Sequence, residues 1–129
     1  MKHNDFRDLE VWQRCRTIRR NVWQLCRQLP KEERFRLADQ MIRASRSVTA
    51  CIAEGYGRFH FRENVQFCRQ ARGSLYELID HIDVATECGY VSPENTKTLT
   101  TEIKKAIWIL NGYIKYLNTR LTAASDLTR

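Results

Sequence analysis

The chain is short of the residues that interrupt helices. It holds two prolines and five glycines in 129 residues, so long stretches run without a residue that breaks or bends a helix. No apolar run approaches the roughly 20 residues a membrane span requires. No stretch alternates apolar and polar residues for long enough to make a strand. The five cysteines, Cys15, Cys26, Cys51, Cys68 and Cys88, are odd in number and never fall as CxxC, which excludes a disulfide framework or a zinc site of ordinary spacing. They read as free thiols packed as small hydrophobes in a reducing compartment. The N-terminus, Met1-Lys2-His3-Asn4-Asp5, leads into an amphipathic helix and not an apolar signal core. A cytoplasmic protein is expected.

What is present is helical periodicity. The series Val11, Cys15, Ile18, Val22, Leu25, Leu29 steps by four and three, one stripe on one helix face. Ala38, Met41, Ser45, Val48, Ile52 repeats the pattern, as do Phe61, Cys68, Ala71, Leu75, Leu78, Ile82, Ala85 and then Leu99, Ile103, Ala106, Leu110, Tyr113, Leu117. Asn4 or Asp5 caps the first helix and Pro30 ends it. Lys31-Glu32-Glu33 supplies acids to the start of the second, and Gly55 and Gly57 end it. Ser92-Pro93-Glu94 reads as N-cap, first-turn proline and acidic first turn of the fourth. The expectation is all-α: four helices at about residues 5–28, 32–55, 61–88 and 93–120, with short connections. They form one domain, 1–129, packed as an up-down-up-down antiparallel four-helix bundle. Residues 123–129 read as a frayed tail.

The charge is lopsided. The net charge is +7, but residues 1–72 carry 16 Lys and Arg against 8 Asp and Glu, while residues 73–129 carry 6 against 7. Most of the basic excess is arginine, whose planar fork suits phosphates and carboxylates. Trp12, Trp23, Phe35, Leu37, Phe59, Phe67, Tyr76, Ile107 and Trp108 fall partly off the apolar stripes. Large side chains outside the seam point to a second buried surface, hence self-association, against the plainer reading that they widen the core.

Five motifs fall in order along the chain. They are Phe6-Arg7-Asp8-Leu9-Glu10-Val11-Trp12, then Leu29-Pro30-Lys31-Glu32-Glu33, and Gln40-Met41-Ile42-Arg43-Ala44-Ser45-Arg46-Ser47-Val48. After these come Ile52-Ala53-Glu54-Gly55-Tyr56-Gly57-Arg58 and Gly73-Ser74-Leu75-Tyr76-Glu77-Leu78. Together, over about residues 6–120, the chain resembles the bacterial four-helix-bundle family encoded within intervening sequences of 23S ribosomal RNA genes. That resemblance implies a bundle assembled into a cyclic homo-oligomer, a pentamer. Distantly similar accessory proteins of diversity-generating retroelements are basic pentamers that bind a reverse transcriptase and nucleic acid, so RNA, DNA or a protein partner is implied. The family usually has asparagine where this chain has Cys51, and a thiol bonds across to a neighbouring helix only weakly.

Candidate chemistry follows from the same residues. Arg43, Ser47 and Glu54 share a flank of the second helix and, with Arg58, form either an anion pocket or a salt-bridged structural corner. The corner is the stronger reading. Glu77, Asp80, His81, Asp83 and Glu87 form an acidic face, a metal cluster only if they converge, and otherwise a solvated or interfacial surface that answers arginines. Gly73 inside the third helix costs about 1 kcal/mol relative to alanine, which close approach of a neighbouring helix would offset. Arg7, Arg14, Arg20 and Arg27 recur near heptad spacing on one outer face, with Trp23 and Tyr56 available for stacking. His3, His60 and His81 fit no nucleophile or ribonuclease spacing, and no glycine-rich phosphate loop follows a strand. The expected function is therefore a non-catalytic, oligomeric, RNA-binding accessory protein without catalytic residues, metal or cofactor. The alternatives are a structural or protein-interaction module in which Ser47, Glu54, Glu77 and Asp80 serve contacts, and a metal-using enzyme.

Overall fold

The computed structural model describes residues 5–127. Among them every regular element is helical: α1 (Glu10–Cys26), α2 (Leu37–Gly57), α3 (Phe61–Glu87) and α4 (Pro93–Leu127), with single 3-10 turns at Phe6–Asp8 and Lys31–Glu33. Each helix packs on the next, and α4 closes back on α1. The apolar stripes meet in the middle. Val22, Met41, Ile52, Cys68, Leu75, Leu78, Ile103 and Leu110 are all buried, each large aliphatic contributing about 1.5–3 kcal/mol on leaving water. Among the off-stripe side chains, Trp12, Leu37 and Ile107 are buried and widen this core. Trp12 also meets the Phe6 ring edge-on at 5.2 Å.

The helix starts differ from the periodicity, for local reasons. Asp5 caps the 3-10 turn rather than α1, accepting a hydrogen bond from the Arg7 N–H. Leu9 is then extended, and α1 begins at Glu10. Asn4 lies outside the described residues. The second helix begins at Leu37, five residues later than expected, because Lys31–Glu33 form a separate turn. Glu33 is a tether there. Its carboxylate accepts from the Leu37 N–H at 3.5 Å and from the Tyr90 hydroxyl at 2.8 Å, joining the α2 start to the α3–α4 connection.

That connection is the one the sequence describes best. Gly89, with φ +75, follows the end of α3, and the Gly89 and Tyr90 N–H groups bond back to the Thr86 and Ala85 carbonyls, a Schellman closure that needs a left-handed residue. Ser92 Oγ then accepts from the Asn95 N–H at 3.2 Å, with Pro93 opening α4. Residues 123–127, expected as a frayed tail, continue α4.

The α2–α3 corner departs from expectation. Gly55 and Gly57 do not end α2 by adopting left-handed angles. Both are helical, and the left-handed residue is Phe59, with φ 60. Gly55 has a different task. A Cβ on it would lie 2.7 Å from Asn64 Oδ1 and 2.9 Å from Phe67 Cβ, so its missing side chain is what lets α3 approach. Asn64 is buried there, donating to the Tyr113 hydroxyl at 3.2 Å and accepting from the Cys68 thiol at 3.5 Å. Gly73, by contrast, is exposed, and among the described residues nothing lies within 4 Å of where its Cβ would be, so no described helix approaches it.

These two environments give opposite signs to one substitution. Gly55→Ala gains helix propensity but collides with Asn64 and Phe67, and is expected to lose about 1–3 kcal/mol. Gly57→Ala meets nothing within 4 Å and is expected to gain about 0.5–1 kcal/mol. Urea unfolding of both variants checks the pair; equal effects would contradict the close approach at Gly55.

Candidate nucleic-acid interface and acidic face

The α1 arginines do not share one face. Arg7 lies in the 3-10 turn before α1, ion-paired with Asp5 and over the Phe6 ring at 4.8 Å. The extended Leu9 breaks its helical register with the rest. Arg14 turns toward α4, pairing with Glu10 at 3.5 Å and lining a groove with Arg16, Glu102 and Lys105. Arg20 and Arg27 lie instead along the α1–α2 side. Arg20 lines a cleft of about 500 Å³ with Arg19, Trp23, Ile42 and Arg46. Arg27 lines the adjoining cleft of about 400 Å³ with Trp23, Lys31, Arg34, Phe35 and Ile42.

The suspected anion pocket on α2 is not assembled. Arg43 pairs at 2.9 Å with Asp39, one turn earlier on its own helix. Ser47 faces α3, accepting from the Ser74 hydroxyl at 3.2 Å. Glu54 and Arg58 pair at 3.3 Å, and Arg58 also reaches Glu63 at 3.6 Å while its guanidinium lies 5.3 Å from the Phe67 ring centre. Glu54, Arg58 and Glu63 therefore brace the α2–α3 corner. All three are substantially exposed, so each pair contributes at most about 1 kcal/mol.

On α3, Glu77 holds His81 at 2.9 Å, and Asp80, Asp83 and Glu87 are exposed. Among the described residues no three His, Cys, Asp or Glu side chains come close enough to hold a metal ion. Gly73, Tyr76, Glu77, Asp80, Val84 and Glu87 recur every one to four residues down the exposed side of this helix, an acidic stripe carrying Tyr76, 58% exposed. Trp108 of α4, at 79%, is more exposed still.

The cysteines sit as their apolar neighbours suggest. Burial pushes the Cys15 and Cys68 thiols up to about 12, which keeps them protonated and poor nucleophiles at neutral pH. Cys51 lies in a polar seam between α2 and α3, its sulfur 3.8 Å from Ser47 Oγ and 3.9 Å from Gln70 Oε1. Both are long, weak contacts of the kind a thiol makes.

Arg19, Arg34 and Arg46 join this surface without having stood out in the sequence, and Phe35, read there only as an off-stripe ring, joins it too. Arg19 donates to Thr49 Oγ1 at 2.9 Å and Arg34 lies 5.4 Å from the Phe35 ring. For Arg19 and Arg46 the available signal was their four-residue spacing from Trp23 and Ile42, which the dominant core stripe obscured. Among the described residues no helix is long and apolar enough to cross a membrane.

The fold thus defines an all-helical four-helix protein with a basic α1–α2 side and an acidic α3 stripe. The model of the 23S rRNA-intervening sequence protein family matches residues 7–112, and the chain belongs to that family. A comparison with curated proteins finds no match.

Two outcomes follow from the thiols. Cys51→Asn replaces the weak contacts with an amide within reach of Ser47 and Gln70 and is expected to raise stability by about 0.5–1.5 kcal/mol in urea unfolding. Because Cys15 and Cys68 ionise near 9.0 when unfolded but about 12 when folded, their contribution is complete below pH 9. It is lost as pH rises from there toward 12, at up to about 1.4 kcal/mol per pH unit per group. Unfolding midpoints measured from pH 7 to 11 should stay flat and then fall, and Cys15→Ala should shallow the fall.

Proposed function

We propose that the protein is a non-catalytic, oligomeric helical-bundle protein of the cytoplasm that binds nucleic acid, RNA foremost, and works without metal or cofactor. The observation that carries this is the uncompensated basic side of α1 and α2. Arg20, Arg27, Arg34 and Arg46 have no carboxylate within ion-pair distance among the described residues, in a chain of net charge +7. Cations left unpaired by their own fold are free to neutralise phosphates. The paired Arg7, Arg14, Arg43 and Arg58 are secondary contacts in this reading.

Helix order supports an up-down-up-down antiparallel bundle. Arg19 meets Thr49 while Cys26 meets Ala38, Ser47 meets Ser74 while Cys51 meets Gln70, and Asn64 meets Tyr113 while Arg72 meets Asn111, so contacts move up one helix as they move down the next. Assembly into a ring of identical chains, a pentamer by family resemblance, uses the α3 stripe. Gly73 is left uncovered there despite its helix cost, beside Tyr76 and Asp80.

A second reading, a structural module whose arginines meet acids of the next subunit, is favoured by one observation. Asp80, Asp83 and Glu87 also lack a cationic partner among the described residues. RNA binding measured beside charge reversal separates the two. Under the proposed function Asp80→Arg lowers the mass seen by light scattering, while wild-type protein binds structured RNA in filter assays. RNA affinity should fall about a hundredfold between 50 and 200 mM salt, as about four neutralised phosphates imply, and Arg20→Ala or Arg27→Ala should each reduce the slope by about one. Loss of assembly in Asp80→Arg with no saturable RNA binding at low salt would establish the structural module instead.

A further inference from the structure

We propose that the trough between α1 and α2 binds single-stranded nucleic acid, with Trp23 and Phe35 stacking on bases and arginines following the backbone. This rests on the nucleic-acid reading above and narrows it to a strand type and a place.

The two clefts along this side adjoin, sharing Trp23 and Ile42 in their walls. Six cations line them: Arg19, Arg20, Arg27, Lys31, Arg34 and Arg46. The single carboxylate, Asp39, is already held by Arg43 at 2.9 Å. None of the six cations has a carboxylate within ion-pair distance among the described residues. A polyanion is the ligand whose charge fits.

The rings select the kind of polyanion. Trp23 is 49% exposed and Phe35 83% exposed, and both line the same cleft. Both are held by backbone that packs elsewhere, Trp23 within α1 and Phe35 between the Lys31–Glu33 turn and the start of α2. A base of a single strand offers a free π-face to such a ring, whereas a duplex keeps its bases stacked on one another; stacking of this kind tolerates any base. Arg34 lies over the Phe35 ring, 5.4 Å from its centre, so a base stacks on the opposite face of this 83% exposed ring and the guanidinium stays within reach of an adjoining phosphate. Arg20 to Arg27 spans about 10 Å along α1, room for about three nucleotides of a stacked strand.

The test is fluorescence anisotropy with the full chain and labelled 20-nucleotide poly-U and poly-dT, alongside a duplex of equal length, at 50 mM salt. Single strands are expected to bind at least tenfold more tightly than the duplex. Trp23→Ala and Phe35→Ala should each weaken single-strand binding about 5- to 100-fold, the range for losing one base–ring stack, and leave duplex binding unchanged. Trp23→Phe, which keeps a ring, should retain binding, as should Trp108→Ala, whose ring lies outside the trough. Thermal melts confirm that each variant folds. Salt-sensitive binding that is indifferent to Trp23 and Phe35, or equal for duplex, would overturn the trough while leaving the broader nucleic-acid reading in place. No binding of any oligonucleotide would overturn both. If the two alanine variants lose assembled mass in sedimentation while binding stays intact, the trough is a subunit contact and the proposal fails.

Discussion

The fold turns on one close approach, Gly55 of α2 against Asn64 of α3. A hydrogen atom in place of a side chain lets α3 come in to where any Cβ would strike Asn64 and Phe67. Asn64, buried by that approach, donates across to the Tyr113 hydroxyl of α4 and accepts from the Cys68 thiol. One missing side chain and one amide thereby hold three helices at a common depth. The left-handed Phe59 reverses the chain just outside this point, and the Glu54–Arg58–Glu63 pairs cover it from solvent. At the far end of the bundle Glu33 does comparable work, binding both Leu37 and Tyr90.

The same approach explains what could be read from the sequence and what could not. Four helices and most of their buried residues were legible because the core stripe follows helical geometry directly, and because Gly89 and Ser92-Pro93 have side-chain requirements of their own. The role of Gly55 was not legible. A glycine near a helix end looks alike whether it supplies a left-handed angle or makes room for a neighbour, and only the neighbour decides. Gly73 shows the converse, since the approach expected there does not occur within the chain. Helix starts at Glu10 and Leu37 were displaced by 3-10 turns, which carry no periodicity of their own.

The candidate site was less legible still. Near-heptad spacing put Arg7, Arg14, Arg20 and Arg27 on one face, but Leu9 interrupts the register before Arg14 and the six-residue step to Arg20 turns it about a third of the way around the helix. Local pairing then divides the arginines a second time. Those with an acid four residues earlier, Arg14, Arg43 and Arg58, close on it, while Arg20, Arg27 and Arg46, which have none, remain open. Four-residue spacing accounts for these three pairs but not for Arg7, which pairs with Asp5, and it does not show that the open arginines gather beside Trp23 and Phe35.

What the molecule presents is two unbalanced surfaces, basic along α1 and α2 and acidic along α3. The first is proposed to meet nucleic acid and the second, with Tyr76 and Gly73, neighbouring copies of the chain. Sedimentation of the protein with a labelled oligonucleotide across a salt series separates these assignments in one experiment. The account predicts that rising salt releases the oligonucleotide along a linear log–log slope while the protein's assembled mass holds constant. Dissociation of the assembly by salt, with no oligonucleotide bound at its lowest concentration, would contradict it and place the arginines between subunits.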